Sequence, residues 1–71
     1  MIKQGTNVEW KWGGGKAQGE VQEVFHDSVT RTIDGNEVTR DGTKDCPAYL
    51  IKQSDGGKVL KLQSEVSRVS S

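Results

Sequence analysis

The sequence holds one cysteine, one proline, one histidine and one methionine in 71 residues, and nowhere a long run of apolar side chains. A single cysteine excludes an intrachain disulfide, so a domain this small must be held by packing and strand pairing, and a lone thiol fits a reducing compartment. One histidine and one cysteine fall short of the three or four protein ligands that zinc requires, so neither a metal nor another cofactor is expected. No segment has the apolar length of a signal-peptide core or a membrane span, since Met1 and Ile2 are followed at once by Lys3, Gln4 and Gly5. These absences predict a cytoplasmic protein with no membrane partner. Charge excess is lacking too: ten Lys and Arg balance ten Asp and Glu. A protein that tracks phosphates by releasing counterions carries a basic surplus, so nucleic acid is disfavoured as the main ligand. Residues 27–45 carry three basic and five acidic side chains and the rest of the chain compensates at +2, a mild polarity that a solvated surface explains.

What is present describes a small all-β protein. Apolar residues make up 31% of the chain and aromatics 6%, with nine glycines spread along it, so the core must be thin and the turns frequent. The length favours one domain, residues 1–71, with its folded part at about 5–69 and a frayed tail at 70–71. Over residues 6–12, Val8, Trp10 and Trp12 alternate with Glu9 and Lys11, the pattern of a half-buried strand. Gly13, Gly14 and Gly15 end it. A second strand, about residues 17–25, starts with Ala17, Gly19 and Val21 on one face; Val24 is out of phase with Val21, which predicts a bulge near Gln22 and Glu23.

Residues 28–41 read as a hairpin of β-branched residues, Val29 to Ile33 against Val38 to Arg40, with a loop over 34–37. In that register Ile33 faces Val38, Thr32 faces Thr39 and Arg31 faces Arg40. Pro47 can open a strand but not sit inside one, so a strand apolar on both faces should run over 48–53, followed by another over 58–62. Residues 63–65 look like one helical or 3-10 turn capped by Ser64, before a last short strand over 66–69. The in-phase apolar positions predict a core of Val8, Trp10, Val21, Leu50, Leu60, Leu62 and Val66. Five or six short strands, Gly-rich turns and a single helical turn before the last strand indicate a small SH3-like barrel.

The order Gly5, Val8, Trp10, Trp12-Gly13-Gly14-Gly15, Gly19, Val21, then Val29-Thr30-Arg31-Thr32-Ile33, Val38-Thr39-Arg40, Pro47-Ala48-Tyr49-Leu50-Ile51, Val59-Leu60-Lys61-Leu62 and Ser64-Glu65-Val66 resembles one family. It is the hypervirulence-associated protein Tudor domain family, formerly a bacterial and fungal domain of unknown function. The resemblance covers about residues 5–69 and is specific as a set rather than in any one piece. It implies a Tudor-like barrel, a fold whose better-known members hold methylated lysine or arginine in an aromatic cage or bind nucleic acid. Cys46 departs from the pattern, standing where the family has an acidic or polar residue before the proline.

Chemistry-bearing residues are few. His26 and Cys46 have no spacing that brings them together, and the Gly13-Gly14-Gly15-Lys16 stretch leads into a strand rather than the helix of a phosphate loop. No enzyme activity is expected. The expectation is a non-catalytic binding module, monomeric, taking a protein or peptide at the barrel rim; a weak nucleic-acid-binding barrel and a self-associating domain that pairs through its hairpin edge are the alternatives. Trp12, Phe25 and Tyr49 supply rings at strand ends or on the rim, while Trp10 belongs to the core. Arg31 and Arg40, set side by side on the hairpin, would form a fork for a carboxylate or phosphate.

Overall fold

A computed structural model of the chain describes residues 2–69. It contains seven strands: β1 (Asn7–Trp12), β2 (Gly15–Phe25), β3 (Ser28–Ile33), β4 (Asn36–Asp41), β5 (Ala48–Gln53), β6 (Lys58–Leu62) and β7 (Ser67–Arg68), with a 3-10 turn at Gln63–Glu65. The two-residue β7, shorter than the four-residue strand expected at 66–69, brings the count above the five or six predicted. Five strands form one antiparallel sheet in the order β6-β5-β2-β1-β7, and β3 and β4 form a separate hairpin.

Strand β5 is the shared wall of two apolar clusters, as a strand apolar on both faces should be. Tyr49 and Ile51 face one way, into a cluster with Val8, Trp10, Val21 and Val66. Ala48 and Leu50 face the other way, into a cluster with Leu60 and Val29 that the β3–β4 hairpin covers. Of the seven expected core residues six are buried; Leu62 is half-buried and packs against the second cluster. Each fully buried side chain of this kind contributes about 1.5–3 kcal/mol, the main stabilisation open to a domain with no disulfide.

The expected bulge is present. Val21 pairs with Ile51, Glu23 with Leu50 and Val24 with Tyr49, so Gln22 is the extra residue. It returns Val24 to the face of Val21 and turns Glu23 and Phe25 towards the second cluster. Gly19 lets β2 approach β5 closely, because a Cβ there would stand 2.5 Å from Ile51 Cγ2 and 2.7 Å from the Lys52 carbonyl oxygen.

The hairpin register differs from the expectation. Its loop is two residues, Asp34 and Gly35, both at positive φ (51° and 78°), as a type I′ turn demands. Ile33 therefore pairs with Asn36, Arg31 with Val38 and Val29 with Arg40, and Thr30 meets Thr39 with their hydroxyl oxygens 2.8 Å apart. The pairing has moved by two residues, so every side chain keeps its face but Arg31 and Arg40 stand on a diagonal rather than opposite one another. The cap of the 3-10 turn also differs: the Leu62 N–H donates to Glu65 Oε1 at 2.9 Å, and Glu65 rather than Ser64 supplies the capping oxygen.

Candidate functional site: an open cleft at the hairpin tips

Trp10 and Trp12 share one face of β1 but not one environment. Trp10 lies inside the sheet at 5% exposure, whereas Trp12 is 71% exposed and is the only large apolar side chain so placed among the described residues. The cause is local: the cross-strand partner of Trp12 is Gly15, which has no side chain to cover a ring, and beyond it the chain reverses through Gly13 at φ 56°. The tip of the β5–β6 hairpin lies at the same end of the barrel. There Gln53 N–H donates to the Gly57 carbonyl at 2.7 Å and Gly57 N–H to Asp55 Oδ1 at 2.8 Å, which fixes the turn.

Between these tips an open cleft of about 990 Å³ reaches down to Trp10, Ala17 and Val59, with Trp12 at its mouth. Charged residues line it: Lys16, Lys58 and Lys61, against Asp34 and Asp55. A second cleft adjoins it along Trp10, Lys16 and Lys61 and extends to Glu9 and Glu65. Lys16 Nζ lies 3.5 Å from Glu9 Oε1, across the β1–β2 ladder.

The five residues singled out from the sequence do not converge. Trp12 is at the mouth of the cleft. Tyr49 is in the core at 1% exposure, not on the rim, and burial, with the neighbouring Cys46 thiol as a lesser cause, raises its pKa above the usual 10.0. Phe25 lies at the other end of β2, with the Arg31 guanidinium over its ring, 4.9 Å from the centroid. Arg31 further donates to the Thr30 carbonyl at 3.0 Å and pairs with Glu23 at 3.5 Å. Arg40 pairs with Glu65 at 3.7 Å, tying β4 to the 3-10 turn. The two arginines thus make two separate ion pairs, with acids of other elements rather than with Asp34, Glu37 or Asp41 of the hairpin.

The family model of the hypervirulence associated proteins TUDOR domain matches residues 5–66. The chain belongs to this family. No curated protein and no solved structure matches it. For a Tudor-like domain the arrangement of rings is informative. Trp10 and Tyr49 are buried, Phe25 is covered by Arg31, and only Trp12 presents an open ring, so no group of accessible aromatic walls surrounds a common point. Among the described residues no three His, Cys, Asp or Glu side chains gather where a metal could be held, and no helix is long and apolar enough to cross a membrane.

Sequence reasoning passed over Lys16, Lys58, Lys61, Ala17 and Val59. The signal for Lys61 was present in the alternation of β6: Leu60 and Leu62 take one face, leaving Val59 and Lys61 together on the other.

Proposed function

We propose that this chain is a non-catalytic binding module that takes a protein or peptide segment in the cleft at the hairpin tips. The observation that carries this reading is Trp12, a large ring 71% exposed at the mouth of a cleft with an apolar floor. A flat amphipathic ring held on a rigid strand supplies contact area at little conformational cost, which is why tryptophan is enriched where proteins meet. The fixed β5–β6 turn opposite it provides a second wall. In this reading the domain acts as a monomer in the cytoplasm, where the lone Cys46 thiol stays reduced.

The test is a backbone and indole amide chemical-shift map of the domain against a panel of unmodified peptides, lysine-methylated peptides and oligonucleotides. Shifts confined to Trp12, Lys16 and residues 54–61 on adding peptide are the expected result. Peptide shifts confined to another surface would move the site away from this cleft, and shifts only with oligonucleotide, with steep salt dependence, would replace this reading by nucleic-acid binding.

A further inference from the structure

Lys61 occupies an unusual position for a lysine. It pairs in register with the buried Tyr49, shares its face of β6 with Val59, and is half-buried where the two clefts meet beside Trp10. Of the four carboxylates that line the two clefts, three are engaged elsewhere, and the fourth, Asp34, stands in the β3–β4 turn. Glu9 holds Lys16, and Glu65 holds Arg40 while accepting the Leu62 N–H. Asp55 accepts the Gly57 N–H within its own turn. Among the described residues no carboxylate oxygen lies within 4 Å of the Lys61 ammonium. Lys58 is equally without an acid, and its cross-strand partner is another cation, Lys52.

We propose that the peptide taken by this cleft is acidic, with an Asp or Glu carboxylate set against Lys61 and an adjoining apolar or aromatic side chain on the Trp12 ring. This rests on the reading of the cleft as a peptide-binding surface and adds the ligand's charge to it. A cationic side chain is a poor fit, because a single open ring attracts a cation weakly, and of the charged groups on the walls Lys58 and Lys61 are the cations with no acid within 4 Å, set against Asp34 and Asp55. A polyphosphate backbone fits poorly as well. It needs a continuous basic track, whereas Glu9 and Glu65 stand beside Lys61 in the adjoining cleft and the whole chain has no net charge. One or two carboxylates next to a ring match the local pattern of cations around Trp12.

Three blocked pentapeptides decide the matter: Gly-Asp-Phe-Asp-Gly, its Asn counterpart and its Lys counterpart, each titrated into the full chain with the Trp12 indole and Lys61 amide signals as readout. The acidic peptide is expected to bind about tenfold tighter than the Asn peptide, the contribution of one charge-assisted contact. Lys61→Gln should erase that difference and Lys61→Arg should keep it. Lys58→Glu, on the exposed lip, provides the same reading should Lys61→Gln fail to fold: it should weaken the acidic peptide and spare the Asn peptide. Equal binding of the acidic and Asn peptides, or preference for the Lys peptide, would overturn the acidic assignment and leave peptide binding standing. No Trp12 shift with any of the three, together with a shift on adding oligothymidine, would overturn both.

Discussion

At Phe25 the ring is covered by Arg31, whose guanidinium is itself met by Glu23 and the Thr30 carbonyl; at Trp12 the ring is bare, and Lys61 and Lys58 have no acid within 4 Å. Both places combine an aromatic ring with cations, the pair that draws attention in a sequence. They differ in what is left over. The Phe25 arrangement closes on itself, each group meeting another within the chain, and so contributes to stability: about 0.5–1 kcal/mol for a cation over a ring at a wet surface. The Trp12 cleft leaves an open ring and two lysines without a direct ion pair, and such groups are what a partner can use. Residue type alone does not separate a brace from a binding surface; the second contact of each group does.

The largest effect separates the core beneath the cleft from its mouth. Tyr49→Ala removes a buried ring and should cost about 3–5 kcal/mol, measured by urea unfolding, enough to leave a domain of this size largely unfolded. A variant with near-native stability would mean that Tyr49 does not anchor the core cluster under Trp10. The hydroxyl offers a finer version. Because burial raises the Tyr49 pKa, the folded state holds its proton where the unfolded chain has begun to lose it. The resulting stability is fully present below about pH 10 and is lost as the pH rises through the folded-state pKa. Tyr49 is the only tyrosine, so tyrosinate absorbance reports this group alone, and Tyr49→Phe should lack that part of the alkaline loss.

The closed patch can be broken from behind. A Cβ at Gly42 would stand 2.6 Å from the Phe25 carbonyl oxygen and 3.0 Å from that of Asp27, so Gly42→Ala should force these backbones apart at about 1–3 kcal/mol in thermal or chemical unfolding. Smaller again is Arg31→Ala. Loss of the ring contact and of an exposed ion pair should cost about 1 kcal/mol. That sign opposes the relief of repulsion that two facing arginines would have produced, and a stabilised variant would show that Arg31 is not a brace.

Much of the fold was legible. Strands β5 and β6 and the 3-10 turn fall on the ranges 48–53, 58–62 and 63–65 read after Pro47, and the phase slip between Val21 and Val24 located the bulge. The hairpin register was misjudged because Asp34-Gly35 was read as part of a four-residue loop rather than as the whole of a two-residue one. An even shift preserves faces, so the burial pattern survived and the Arg31–Arg40 fork did not. The site was harder to read. Glu23 and Glu65, which occupy the two arginines, lie on elements distant in sequence, and no local alternation reports such a meeting. Trp12 was indicated by its place beside three glycines, while the importance of Lys61 depends on which acids around it are already engaged.

The most direct measurement sets Trp12→Ala beside Arg31→Ala, each titrated with the acidic pentapeptide and each melted without it. Trp12→Ala should change stability by no more than about 0.5 kcal/mol, as an exposed side chain does, while weakening the peptide by about tenfold or more, the loss expected when a central aromatic anchor is removed. Arg31→Ala should leave the peptide's affinity unchanged and lower the melting temperature. Binding that survives loss of Trp12 but fails on loss of Arg31 would contradict this assignment and place the working surface at the Phe25–Arg31–Glu23 patch.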